Sequence, residues 1–140
     1  MTQEHKELLL KDLCARLPYS LCVQDEYGEI DYINYNDVHF ANYFDSILNG
    51  KVKHYLRPMS SMTEEEFTKL KEYSGLKYDQ LDLASFQNGT YKCLDFYLSE
   101  VPSGAVIRVF DWLNRYHFDY RDLIPMDLAI AVTKENNPYK

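Results

Sequence analysis

The spacing of apolar positions changes several times along the chain, and each change predicts an element. Over Gln3 to Leu17, residues Leu9, Leu10, Leu13, Cys14 and Leu17 recur at steps of three and four, the stripe of an amphipathic helix. Thr2 suits its N-cap, Glu4 and Glu7 suit the positive end of its dipole, and Pro18 ends it. Leu21–Gln24 and Glu29–Tyr35 then read as two strands joined through Asp25-Glu26-Tyr27-Gly28. Val38, Phe40 and Phe44 fall on even positions, which suits a third strand, while Asp37 equally suits the cap of a short helix. Asn49-Gly50 marks a turn, and Lys51 to Leu56 alternates as a strand.

The second half repeats the helical period twice. Thr63 and Glu66 have the spacing of a capping box, Phe67, Leu70 and Tyr73 or Ser74 trace the apolar face behind it, and Gly75 supplies a left-handed stop. Leu76 to Ser99 reads as loop and turn with a short element near Cys93 to Leu98. From Ala105 to Tyr116, with Ser103 as cap, Val106, Val109, Phe110 and Leu113 form a buried face that Ile107 and Trp112 widen. Leu123 to Val132 reads as strand or extended chain, although Pro125 argues against an inner strand. The polar stretch 134–140 is expected to fray. Without repeats or linker-like tracts, the 140 residues predict one α+β domain, about three helices on a small, mainly antiparallel sheet.

Composition narrows the function classes. Fifteen Lys and Arg against twenty-two Asp and Glu give a charge of −7 with no basic run, which disfavours direct nucleic-acid binding. The apolar runs are too short to span a membrane, and the N-terminus lacks a secretory pattern. Three cysteines, Cys14, Cys22 and Cys93, are odd in number and unpaired in spacing, as in reduced cytoplasmic proteins. Cys14 on the helical stripe and Cys22 in a strand are expected as inert core thiols.

Catalytic signatures are missing. There is no GxGxxG, phosphate loop, HExxH, GxSxG or CxxC, and the four histidines do not share a ligand spacing, so no metal or cofactor is expected. Two regions remain as candidate sites. From Leu17 to Gly50 there is no Lys or Arg, and Asp25, Glu26, Glu29, Asp31 and Asp37 mingle with Tyr27, Tyr32 and Tyr35. Acid beside tyrosine anchors suits a basic protein partner. The other is His117-Phe118-Asp119-Tyr120-Arg121-Asp122, where a His, carboxylates and an Arg can do acid–base work or clamp an anion. The plainer reading places His117 at the end of a helix dipole and pairs Arg121 with a carboxylate or with carbonyls of the Arg57-to-Thr63 loop.

Leu8–Tyr19 (LLLKDLCARLPY), Tyr55–Glu66 (YLRPMSSMTEEE) and Trp112–Met126 (WLNRYHFDYRDLIPM) together resemble an uncharacterised family of small proteins encoded by gut bacteria and their phages or integrated elements. That pattern favours Gly where this chain has Asp122, and again near Asp127. The resemblance implies a bacterial or phage origin and a cytoplasmic setting, and transfers no catalytic residue. It also implies that the three stretches meet in space, with Arg57, Ser60, Ser61, His117, Asp119, Tyr120 and Arg121 as binding or structural residues. The expectation is an accessory protein without enzymatic activity that binds another protein or a second copy of itself. The alternative is a small enzyme acting on a nucleotide or nucleic acid through Arg57, His117, Asp119 and Arg121.

Overall fold

A computed structural model describes residues 1–33, 40–75, 82–89 and 103–139. Its elements are α1 (Gln3–Arg16), β1 (Leu21–Gln24), β2 (Ile30–Ile33), α2 (Phe40–Leu48), β3 (Lys53–Leu56), a 3-10 turn (Met59–Ser61), α3 (Glu64–Ser74), α4 (Leu83–Gln87), α5 (Ser103–Arg115) and β4 (Ala129–Ala131). The sheet runs β2-β1-β3-β4, antiparallel except for the parallel β3–β4 pair. This is a small α+β domain, with five α-helices among the described residues rather than three. Asp37, Tyr35 and the element expected near Cys93 to Leu98 lie outside the described residues.

Two apolar cores explain the layout. In the first, α1 and α2 pack on the sheet through Leu9, Leu13, Val23, Ile33, Ile47 and Leu56. In the second, α3 and α5 enclose Met62, Leu70, Phe86, Val109, Leu113 and Phe118. Phe40 and Phe44, read above as alternating strand residues, are also four apart, and Ile47 extends them by a further turn. That helical period wins, because Ile47 closes the first core from α2.

Local signals fix several ends as expected. Thr2 accepts from the His5 amide at 3.1 Å, and Thr63 and Glu66 form both halves of a capping box. Gly75 stops α3 at φ 71°. α5 stops differently. The Phe118 amide donates to the Leu113 carbonyl at 2.9 Å and the His117 amide to the Asn114 carbonyl at 3.2 Å, a Schellman closure with His117 at φ 68° in the glycine position. Asp122 and Asp127 are also left-handed, at φ 60° and 58°. Aspartate tolerates that region better than most residues. The tight turns therefore form at these two positions without glycine.

Four expectations are corrected. Ile107 lies exposed, because the buried face of α5 turns through Val106, Val109, Trp112 and Leu113 instead. Cys14 is exposed, and so is Leu10, since α1 buries Leu9, Asp12, Leu13 and Arg16. Leu123 to Asp127 forms turns rather than continuous strand, and only Ala129–Ala131 joins the sheet. The C-terminal stretch, expected to fray, packs on the sheet through Pro138 and Tyr139. The Tyr139 hydroxyl accepts from the Cys22 amide at 3.0 Å and donates to the Tyr55 carbonyl at 2.8 Å. Cys22 and Tyr55 alternate onto the sheet face away from α1, and Pro138 and Tyr139 help to cover that second buried face.

Candidate functional site

The three stretches Leu8–Tyr19, Tyr55–Glu66 and Trp112–Met126 do meet. Arg57 and Phe118 form a parallel bridge, with the Arg57 amide on the His117 carbonyl at 2.7 Å and the Asp119 amide on the Arg57 carbonyl at 2.9 Å. Arg16 donates from Nη2 to the Phe118 carbonyl at 2.7 Å. The contacts sort the candidate residues into two clusters.

The first cluster centres on Asp12, which the sequence reading passed over. Its Oδ2 accepts from Arg16 Nε and His54 Nε2, each at 2.8 Å, and its Oδ1 accepts from Arg121 Nη1 at 2.8 Å. Asp12, Arg16 and His54 are fully buried. Burial alone would raise the Asp12 carboxyl, but the Arg16 charge and the His54 hydrogen bond outweigh it and hold the group well below the usual carboxylate range. Arg121 also lies over the Tyr120 ring at 4.4 Å, and the Tyr120 hydroxyl donates to Asn114 Oδ1 at 2.9 Å. The signal was present in sequence: Leu9, Asp12, Leu13 and Arg16 stand at i, i+3, i+4 and i+7. Two charges at i and i+4 on a buried stripe mark an internal ion pair.

Asp119 is structural as well. Its Oδ1 accepts from the Leu123 amide and its Oδ2 from the Ile124 amide, both at 2.9 Å, so the carboxylate holds the turn that leads to β4. Ser60 is exposed beside a shallow hollow of about 300 Å³ that Asp119 and Asp122 also line. The proposed quartet Arg57, His117, Asp119 and Arg121 is thus divided: the Asp119 oxygens hold backbone amides, and Arg121 holds Asp12.

Arg57 and His117 face a different space, a groove of about 690 Å³ between the end of α5 and the C-terminal segment. Arg57, Ser61, Arg115, Tyr116, His117, Lys134 and Tyr139 line it, and none of its lining residues is acidic. Arg57 is fixed by both carboxylate oxygens of the capping-box residue Glu66 and lies over the Phe118 ring at 4.3 Å. The net effect on Glu66 is a lowered carboxyl: burial opposes this, and the Arg57 hydrogen bond and charge overcome it. His117 stacks on Tyr139 with ring centroids 3.6 Å apart. Burial, followed by the charges of Arg16 and Arg57, pushes His117 down to about 3, so it is neutral at physiological pH. It closes α5 by its backbone and not, as the dipole argument expected, by its charge.

The acidic-aromatic region is the β1–β2 hairpin. Asp25 Oδ1 holds the turn by accepting from the Tyr27 and Glu29 amides, both at 2.9 Å. Glu26, Glu29 and Asp31 are exposed. Tyr27, Ile30 and Tyr32 retain 84%, 49% and 54% of their surface in solvent, a large apolar area for so short a segment. Asp31 accepts from the Tyr43 hydroxyl, and the Tyr32 hydroxyl donates to the Pro138 carbonyl at 2.5 Å.

Among the described residues, no group of three or more His, Cys, Asp or Glu is arranged to hold a metal, and no helix is long and apolar enough to cross a membrane. Comparison with known proteins finds no matching family model, curated protein or solved structure.

Proposed function

We propose that this chain is a non-enzymatic accessory protein, of phage or mobile-element origin and acting in the cytoplasm, that binds a protein partner through the β1–β2 hairpin. One observation carries the reading: Tyr27, Ile30 and Tyr32 are exposed together on a hairpin whose charged side chains are all acidic. Tyrosine supplies contact area at low entropic cost, and the carboxylates Glu26, Glu29 and Asp31 attract a basic surface. β2 ends the described sheet, so the same hairpin also presents an outer strand. A second copy of this acidic chain is a poorer fit, because its hairpin would meet its own charge.

The test is co-purification from the native host with two baits, the wild type and Tyr27→Ala/Ile30→Ala/Tyr32→Ala. A basic partner retained by the first and lost by the second, with both baits equally stable, supports the reading. A partner set unaffected by the three substitutions sinks it.

A further inference from the structure

The groove beside α5 is basic on an acidic protein. Its charged lining side chains are Arg57, Arg115 and Lys134, against a chain total of −7. These cations are placed at the lining in different ways. Arg57 is clamped by Glu66, which fixes its guanidinium against the Phe118 ring and leaves it little freedom to lose on binding. Arg115 lies one helical turn after Asp111 and makes no ion pair among the described residues, though its charge acts on the Tyr19 and Tyr73 hydroxyls that donate to Asp111. Lys134 is exposed and makes no ion pair among the described residues.

Further positive charge stands near the lining. The Arg16 guanidinium is close enough to His117 for its charge to press on the ring. Arg16 Nη1, His54 Nδ1 and His117 Nδ1 are buried and have no hydrogen-bond partner among the described residues. Asp12 carries one negative charge against the two guanidinium charges of Arg16 and Arg121, so that cluster is itself cationic. An anion in the groove would meet Arg57, Arg115 and Lys134 at its lining.

We propose that this groove binds a multiply charged phosphate compound of nucleotide size, with its phosphates on Arg57, Arg115 and Lys134. A space of about 690 Å³ falls within the range of small-ligand pockets and is far larger than a single phosphate needs. Arginine and lysine together suit a di- or triphosphate, since the guanidinium forks grip oxygens in pairs and the ammonium adds a mobile point charge. Tyr116 lies on the groove lining beside Arg115, partly exposed and tilted against Trp112, and offers a face for a planar base. The site is distinct from the hairpin, and its failure would leave the protein-binding reading untouched.

Calorimetric titration with ATP and with pyrophosphate, both free of divalent metal, tests this directly. Wild type should bind both, with ATP the tighter of the two. Arg115→Ala/Lys134→Ala should weaken each by about tenfold or more, the scale of losing charge-assisted contacts. Tyr116→Ala should weaken ATP alone, and Lys6→Ala/Lys11→Ala, which removes cations from α1, should change neither. Absence of binding at millimolar ligand, or equal binding by wild type and Arg115→Ala/Lys134→Ala, overturns the proposal. Pyrophosphate binding as tightly as ATP overturns the nucleotide assignment.

Discussion

The Asp12 cluster and the groove beside α5 use the same side-chain types toward opposite ends. Around Asp12, both carboxylate oxygens are occupied by Arg16, His54 and Arg121, and the carboxylate itself is closed to solvent. In the groove, Arg115 and Lys134 face an open volume and make no ion pair among the described residues, while Arg57 is held at the lining by Glu66. The contrast teaches how to separate structural charge from available charge in one small domain. A buried charge must be matched in place, because an unmatched one costs several kcal/mol of desolvation. A charge at the mouth of a groove stays hydrated, remains cheap to keep unpaired and is free to meet a ligand.

The comparison breaks most easily at Asp12. Asp12→Ala strands Arg16 in the interior and should lower unfolding free energy by about 3–5 kcal/mol, measured by urea denaturation. A pH series sharpens the same point through His117. Its folded pKa of about 3 lies below the ordinary value of 6.5, so the unfolded chain binds the proton first as pH falls. The stability this gives is present above pH 6.5 and is lost towards pH 3, at a slope approaching about 1.4 kcal/mol per pH unit. His117→Phe keeps an aromatic ring against Tyr139 and should flatten the slope between pH 6.5 and 4.5. Below about pH 4 the Asp12 carboxylate, lowered in the fold, adds its own acid dependence with the same sign.

Smaller effects come from the rim of each cluster. Arg121 is partly exposed and gives Asp12 one of its three hydrogen bonds, so Arg121→Ala should cost about 1–3 kcal/mol in a thermal or urea melt. Arg115→Ala/Lys134→Ala should change stability by no more than about 0.5 kcal/mol, as expected for exposed charges that make no ion pair.

What the sequence showed follows the same division. α3 and α5 were legible because their faces are apolar and their signals local: the Thr63–Glu66 box and the Val106, Val109, Leu113 stripe need no knowledge of neighbours. α1 was legible as a helix but not in its facing. Its buried stripe carries Asp12 and Arg16, and only the distant partners His54 and Arg121 make that burial tolerable. Tyr139 was hidden for the same reason, since its partners at Cys22 and Tyr55 are far away in sequence. The candidate stretch around His117 was read as one site. The geometry divides them, with Asp119 on backbone amides, Arg121 on Asp12 and His117 on the groove.

The division between matched and available charge rests on one direct measurement: urea unfolding of wild type, Asp12→Ala and Arg115→Ala/Lys134→Ala side by side at neutral pH. The account predicts a loss of about 3–5 kcal/mol for Asp12→Ala. It predicts a change within about 0.5 kcal/mol for the groove variant. A groove variant that loses as much stability as Asp12→Ala, or an Asp12→Ala protein as stable as wild type, would contradict it.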